Sequence, residues 1–505
     1  MLAALSLQYA LFQLLTGVQY GDSPRNLHWG IVTQEVPRFL LDAENPYDRV
    51  NGFAPDPVSL APAGLAHGRS GPLHSWWGPL YLILFGGVWR LSNSYTLLQL
   101  IVPIAAGAVV ILTYLLGSRY IGQRGGLLAA VLLALFPFFR EHGPLSFVEP
   151  LSALLLLAAL WAFFERRTWL AALFGALAMY GKIDLVALYL GTAGLTWLMR
   201  LRSEQPLPMR HAALALGIPA ICLAPWVLLI YGVIGRATTV GGGPQSDVFL
   251  TVAPQMLEQM FTLPLPLAAM TLTFIGAPAA LAARRGSAGA LTMTLVIWVV
   301  LGAAVLLVYS ALPGASNNPR VCIPALPALC ILAAAGIEQL GRRVQFGLLT
   351  GIMTLFVVVN GAGMAYQTLQ ARHDAAAMPV WRVLREAPAG VILTDQYWHA
   401  ALYTRQPVTW FEHDPVFQRN IMQNAGNFRR YLEVAPIRYV VLPRAPDAES
   451  QRLALPEVRW YATLPIGRDL GWSAEPLAST DVRAYLEDTF PQQIIGEYIV
   501  YVIER

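Results

Sequence analysis

Long apolar stretches with few charges recur along this chain, and they constrain its fold more than any other feature. Apolar residues make up 56% of the 505 residues and charged residues only 13%, about half the charged share of soluble domains. Many of the stretches reach about 18 residues or more, the length needed to cross roughly 30 Å of hydrocarbon. The sequence therefore predicts a polytopic α-helical membrane protein.

The apolar segments and the charges between them predict one consistent topology. Arginine-rich connections follow alternate segments, and by the positive-inside rule they lie on the cytoplasmic side. Eleven spans alternate without conflict, which places the C-terminus outside. The predicted spans are residues 1–18, 95–117, 124–139, 148–165, 168–182, 184–200, 211–233, 264–283, 287–311, 321–341 and 346–366.

A long polar excursion separates the first two spans. It forms an outer loop over residues 19–94, within which 31–41 and 76–85 mix apolar, aromatic and charged residues. We expect these two segments to lie in the interface or to re-enter the membrane, since a full span at 76–85 would invert every later loop. The loop is assigned to a membrane domain of residues 1–366.

The composition changes after the last span. Short apolar runs of strand character alternate with a helical pattern at 416–433 and with turns that contain Pro and Asp. The predicted domain, residues 367–505, is long enough for a small extracytoplasmic α/β fold with its own core. The predicted strands are residues 391–394, 408–411, 439–442 and 498–503.

Ionisable residues gather in the loops that this topology places on the outer face. Such groups are costly at a membrane and indicate function by default. Both signs of charge occur together, which suits the binding of a phosphorylated ligand beside a carboxylate that acts as a base. The candidate residues are Asp22, His74, Arg140, Glu149, Lys182, Asp184 and Arg320.

Each candidate also has a structural interpretation. Asp22 precedes Ser-Pro-Arg and is suited to cap a helix. Lys182 and Asp184 fit a local ion pair or interfacial snorkelling, and Arg320 fits an ordinary loop arginine. Glu149 is harder to explain in this way, because an unpaired carboxylate among its apolar neighbours would cost several kcal/mol.

Some ligand classes are not indicated. The net charge of +4 is small, and topology accounts for the basic loops, so we expect the lipid bilayer but no nucleic acid as a partner. The His and Cys residues show no spacing that signals a metal site, divalent or otherwise. No cofactor is predicted, and a divalent metal stays open without being signalled.

The order of the polar motifs resembles the GT-C class of membrane glycosyltransferases. The similarity is greatest to the group of protein O-mannosyltransferases and the lipid A aminoarabinose transferase. Where that family has a paired acid, this chain has Asp22 followed by Ser23. The matching motifs, in chain order, are Asp22, Glu44-Asn45-Pro46-Tyr47, His74 to Tyr81, Ser146 to Pro150, Gly175 to Lys182 and Arg320 to Pro327.

The resemblance implies a GT-C-like fold and an inverting transfer at the outer face of the cytoplasmic (inner) membrane. The implied donor is a polyprenyl-phosphate-linked sugar, and the implied acceptor is an envelope lipid, glycan or protein. Asp22 is implied to be the general base. The residues implied to bind the donor and its phosphate are Lys182, Arg320, Arg140, Glu149, Asp184 and His74.

Two other functions stay open at the level of sequence. A transporter or flippase for a lipid-linked sugar would require polar residues at mid-membrane and related, broken helices. A non-catalytic assembly subunit would use the C-terminal domain to bind a partner. Most of the charges lie at span ends on one face, which favours the transferase.

Overall fold

A computed structural model of the chain falls into two units, one formed by residues 1–15 and 73–364, the other by residues 16–72 and 365–505. The sequence predicted the outer loop, residues 19–94, to belong with the membrane domain, and the described helix Ser23–Glu35 of that loop falls in the second unit. The described residues are 23–35, 79–182, 184–201, 206–228, 264–283, 287–310, 319–340, 343–352, 354, 358, 379–394, 396–410, 421–444 and 478–504.

Apolar helices form the first unit, and their bounds follow the predicted spans closely. One further helix, α1, belongs to the second unit. The helices before residue 340 are α1 (Ser23–Glu35), α2 (Leu80–Ser92), α3 (Tyr95–Leu135), α4 (Pro137–His142), α5 (Val148–Phe164), α6 (Thr168–Gly181), α7 (Asp184–Arg200), α8 (Met209–Val227), α9 (Pro264–Ala283), α10 (Ser287–Ser310) and α11 (Leu326–Glu338).

Several of these helices have the length and composition of membrane spans. Within the described part of the chain, four segments qualify in full: Tyr95–Leu135, Met209–Val227, Leu291–Val308 and Arg320–Glu338. Helices α2, α5 and α6 are apolar but shorter. The predicted multi-pass helical architecture is confirmed. The number eleven stays a prediction, since residues 1–18 lie outside the described residues.

Helix α3 contains two antiparallel arms rather than one long span. Its chain reverses at Gly122, where φ is +85°, a conformation that favours glycine. A Cβ added to Gly117 would lie 2.9 Å from the Cα of Gly126, so the arms touch backbone to backbone. The second arm was predicted to continue to residue 139 but ends at Leu135, because Pro137 starts a new helix.

The predicted span 321–341 also begins differently from its prediction. Its first residues form a 3₁₀ helix, Pro319–Ala325, and α11 follows directly. Pro324 has no backbone N–H and therefore prevents continuous α-helical hydrogen bonding here. This 3₁₀ helix packs against α4, α5 and α10, and α5 packs in turn against α3, α6 and α7.

The arginine-bearing connections meet at one end of this helical unit. Arg119 Nη1 lies 2.7 Å from Glu165 Oε1, and Arg166 Nη2 donates to the Pro206 carbonyl over 3.4 Å. These residues come from three connections that were predicted to share the cytoplasmic side. The start of α5, about 24 Å away at 1.5 Å per residue, marks the opposite end.

The second unit contains a five-stranded mixed sheet in the order β2-β1-β3-β5-β4. Strand β1 is parallel to both β2 and β3, while β5 is antiparallel to β3 and β4. All four predicted strands are present, and β4 was not predicted. The elements are α12 (Pro379–Glu386), β1 (Val391–Thr394), α13 (Tyr397–Thr404), β2 (Val408–Trp410), α14 (Ala425–Val434), β3 (Ile437–Pro443), α15 (Thr480–Thr489), β4 (Gln492–Ile495) and β5 (Tyr498–Val502).

Both faces of this sheet are covered by helices. Strand residues of one parity, such as Ile392, pack with α12 and α13, and those of the other parity, such as Leu393, pack with α14 and α15. The result is a three-layer α/β/α domain, which confirms the predicted class. Helix α1 packs against α13, so the segment that follows Asp22 in sequence is anchored to this domain.

The close packing of the two α3 arms can be tested by adding one methyl group. In Gly126→Ala the new Cβ would meet Ser118 and lie 2.6 Å from the Tyr114 carbonyl oxygen. We expect overpacking to cost about 1–3 kcal/mol and to lower the midpoint of thermal unfolding in detergent. Gly217→Ala is the control, since its Cβ meets no atom within 4 Å. Equal midpoints for both variants would contradict the observed packing.

Candidate functional site

An ion pair between Glu149 and Lys182 lies at the end of the helical unit opposite the arginine-bearing connections. Glu149 stands in the first turn of α5. Lys182 follows the last residue of α6 and adopts an extended backbone. Lys182 Nζ lies 3.5 Å from Glu149 Oε1, and the two side chains are only 2% and 3% exposed.

The pair extends on both sides into a chain of alternating charges, which we call the charge cluster. Asp184, the first residue of α7, places Oδ2 3.2 Å from Lys182 Nζ. Arg320, in the 3₁₀ helix, places Nε 3.4 Å from the same Glu149 oxygen that meets Lys182. Asp184 and Arg320 are 11% and 13% exposed, so the outer members reach solvent more than the inner pair.

Three charges of the cluster, Glu149, Lys182 and Asp184, lie at helix ends of complementary sign. The amino ends of α5 and α7 carry the carboxylates Glu149 and Asp184, where exposed backbone N–H groups favour anions. The carboxyl end of α6 precedes Lys182, and such an end favours a cation. The order of the helices along the chain therefore places these ionisable residues with the correct sign.

Two aromatic side chains, Phe147 and His142, lie on the Arg320 side of the cluster, and neither is among the predicted site residues. The Arg320 guanidinium carbon lies 4.8 Å from the centre of the Phe147 ring, a cation–π distance. The His142 ring packs edge-on to Phe147 at 4.7 Å, and His142 Nδ1 hydrogen-bonds the Phe138 carbonyl at 2.8 Å. These contacts hold the guanidinium against a rigid surface.

The structure thus brings together four of the predicted site residues, Glu149, Lys182, Asp184 and Arg320. Arg140 is buried in α4, and α4 packs against the 3₁₀ helix that carries Arg320. Asp22 and His74 lie outside the described residues.

The amino-acid composition alone distinguishes Lys182 from the other basic residues. The chain has 34 Lys and Arg residues, and Lys182 is the single lysine among them. Every other basic residue of this set is an arginine, whereas the buried position 182 of the charge cluster has a lysine. A lysine ammonium is a compact point charge, whereas guanidinium is planar and larger, so this confined position holds the smaller of the two cations.

The charge cluster is suited to bind an anion rather than to stabilise the fold. Burial of two cations and two carboxylates carries a desolvation penalty that their attraction repays only in part. Ammonium and guanidinium groups form strong charge-assisted hydrogen bonds to phosphate oxygens. Within the described ranges, no three His, Cys, Asp or Glu side chains are grouped as a metal site requires.

Comparison with known proteins finds solved structures that are similar to this chain but no match by sequence. No protein-family model matches the chain, and no curated protein matches it significantly. The crystal structure of ArnT from Cupriavidus metallidurans bound to undecaprenyl phosphate superposes with a TM-score of 0.59 at 13% identity, covering 99% of this chain and 97% of that one. The chain shares the fold of ArnT.

Two further solved structures are similar to the chain. ArnT from the same organism in the apo state gives a TM-score of 0.58 at 13% identity and covers 99% of this chain and 96% of that one. The Archaeoglobus fulgidus oligosaccharyltransferase tethered to an acceptor peptide gives a TM-score of 0.46 at 12% identity and covers 92% of this chain and 71% of that one. The expected GT-C-like fold is confirmed by ArnT over both units of the chain.

Glu149 is the member of the charge cluster on which two cations depend, and its removal should destabilise the protein most. Glu149→Gln leaves Lys182 and Arg320 without their shared carboxylate, which we expect to cost about 3 kcal/mol. Asp184→Asn is the matched control, because Glu149 still neutralises Lys182. The measurement is thermal unfolding in detergent. A smaller loss for Glu149→Gln than for Asp184→Asn would contradict the central role of Glu149.

Proposed function

We propose that this protein is an integral membrane glycosyltransferase of the GT-C type. It moves a sugar from a polyprenyl-phosphate donor to an envelope lipid, glycan or protein acceptor, with inversion at the anomeric carbon. The observation that carries the proposal is the buried charge cluster at one end of a helical unit that has the ArnT fold. ArnT itself binds undecaprenyl phosphate in the structure with the higher TM-score, which supports a lipid-linked phosphate as the ligand here.

In the proposed reaction the acceptor hydroxyl attacks the anomeric carbon of the donor sugar. The bond from the acceptor oxygen to that carbon forms, and the bond from that carbon to the phosphate oxygen breaks. The leaving polyprenyl phosphate takes the bonding electrons, while Asp22 accepts the hydroxyl proton as general base. A carboxylate of ordinary pKa suffices when it is held in hydrogen-bond contact with the acceptor.

The cations of the charge cluster assist the departure of the polyprenyl phosphate. Negative charge grows on the phosphate oxygens as the sugar leaves, and Lys182 and Arg320 stabilise it, with Arg140 as a further buried cation. Glu149 holds the Lys182 and Arg320 head groups from one shared oxygen, so both cations are oriented before the donor arrives. Asp184 does the same for Lys182 from the other side.

The proposed site lies at the outer face of the cytoplasmic membrane. The arginine-bearing connections meet at the end of the helical unit away from Glu149 and Lys182, and positive loops mark the cytoplasmic side. The odd number of predicted spans assigns the C-terminal α/β domain to the extracytoplasmic side. A lipid-linked donor suits this location, since its prenyl tail can lie between apolar helices.

The general-base role of Asp22 can be tested separately from its capping role. Asn caps helices about as well as Asp, so Asp22→Asn preserves the start of α1 but removes the base. We expect donor binding to be kept and transfer to fall by about 10²–10⁴-fold. The measurement is transfer in membranes from a panel of radiolabelled polyprenyl-phosphate sugars into lipid, glycan and protein fractions.

Two results of that assay would contradict the proposal. Full transfer by Asp22→Asn would remove Asp22 from the role of base. The absence of transfer by the wild-type protein from every donor in the panel would overturn the transferase and favour a transporter of lipid-linked sugars.

Lys182 should contribute directly to donor affinity. Loss of a hydrogen bond to a charged group costs about 1.5–3 kcal/mol, so we expect Lys182→Ala to weaken binding of undecaprenyl phosphate by about 10- to 150-fold. Lys182→Arg should not restore affinity, because the larger cation must fit between Glu149 and Asp184. Arg119→Ala, at the opposite end of the helices, is the control and should bind normally. Unchanged affinity in Lys182→Ala would make the lysine structural.

A further inference from the structure

Tyr81 is a buried polar residue that the proposed mechanism does not use. It lies in α2 with 2% of its surface exposed. Its hydroxyl donates to the Val148 carbonyl over 3.0 Å and hydrogen-bonds the Ser152 hydroxyl. Val148 and Ser152 both belong to the first turns of α5, so a single hydroxyl from α2 is bonded to the start of the helix that carries Glu149.

The same hydroxyl lies against the end of α6. Gly181 is the last residue of that helix, and a Cβ built on it would lie 2.9 Å from the Tyr81 oxygen. Any side chain at position 181 would therefore displace the phenol or the end of the helix. Tyr81 thus contacts the residue directly before Glu149 and the residue directly before Lys182.

A second hydroxyl reinforces this contact at the start of α5. The Ser152 hydroxyl also lies 2.8 Å from the Val148 carbonyl oxygen, so its one proton is donated either to that carbonyl or to the Tyr81 oxygen. The direction of a side chain in the first turn of a helix follows from the backbone of that turn. The two hydroxyls therefore fix the direction in which Glu149 leaves α5, and with it the 3.5 Å separation of Glu149 and Lys182.

We propose that Tyr81 is a positioning residue for the Glu149–Lys182 ion pair. Its hydroxyl is hydrogen-bonded to the start of α5 and lies against the end of α6, and so it sets the geometry of the pair before any ligand binds. The consequence for the donor phosphate rests on the proposed function, whereas the positioning itself does not. Misplacement of a binding group by about 1 Å lowers rate by up to about 10²-fold.

The single lysine of the chain provides a direct test. Protein labelled with ¹³C at the lysine Cε positions gives one lysine resonance, that of Lys182. Tyr81→Phe keeps the ring and removes the hydroxyl, and we expect it to shift or broaden this resonance in the absence of ligand. We expect undecaprenyl phosphate affinity to fall by about 10-fold or more.

The matched control is Tyr189→Phe. Tyr189 is also buried, and its hydroxyl donates to the carbonyls of Ala171 and Ala215, each over 3.0 Å, nearer the other end of α6. A general loss of packing would occur in both variants and lower both unfolding midpoints. Only Tyr81→Phe should alter the Lys182 resonance and the affinity.

The outcomes separate this proposal from the proposed function. An unchanged Lys182 resonance in Tyr81→Phe overturns the positioning role, whatever the lipid affinity. An altered resonance, with no binding of undecaprenyl phosphate by the wild-type protein, supports the positioning role and overturns the proposed function. Equal resonance changes in Tyr81→Phe and Tyr189→Phe would reduce Tyr81 to an ordinary packing residue and overturn the proposal.

Discussion

The Glu149–Lys182 pair, buried where apolar helices begin and end, is the interaction on which the rest of this site depends. A carboxylate and an ammonium in such surroundings persist only when each neutralises the other. Three helix ends meet around the pair with the complementary backbone charge, and Arg320 and Asp184 extend it at both sides. The architecture of α5, α6, α7 and the 3₁₀ helix can therefore be understood as the support of one charge cluster.

Under the proposed function, this neutral cluster would serve an anionic ligand. Without a ligand the carboxylates balance Lys182 and Arg320, so the folded protein does not bear uncompensated buried charge. When a phosphate approaches, the cations are already oriented, and little reorganisation is needed. The use of the only lysine of the chain at the most confined position agrees with a site where cation size matters.

Features fixed by local sequence were predicted well. The spans that became α5, α6 and α7 follow from uninterrupted apolar length, and four strands follow from short β-branched runs. Strand β4 was missed because Gln492 and Gln493 are exposed at a sheet edge and show no apolar alternation. The observed helix bounds differ from the predicted ones at Pro137 and Pro324. A prediction from apolar length alone does not take into account that proline lacks a backbone N–H donor.

Features that depend on contacts between distant parts of the chain could be predicted from the sequence only in part. The charges of Glu149, Lys182, Asp184 and Arg320 identified them in the sequence, and topology placed them on one face. The distances that join them depend on packing between segments up to 171 residues apart in the chain. Tyr81 stood in the motif His74 to Tyr81, but its contact with the start of α5 was not predicted, since the bonded carbonyl lies 67 residues away. Phe147 looked like an ordinary apolar residue, and its contact with Arg320 required the fold.

The most direct test of the central claim follows the single ¹³Cε-lysine resonance of the wild-type protein while a prenyl lipid is added. The account predicts that undecaprenyl phosphate shifts the Lys182 resonance in a saturable manner, because a phosphate replaces part of the contact with Glu149 and Asp184. Undecaprenol, which has the same tail without the phosphate, should leave the resonance unchanged. The same response to both lipids, or no response to either, would contradict a phosphate-binding role for the charge cluster.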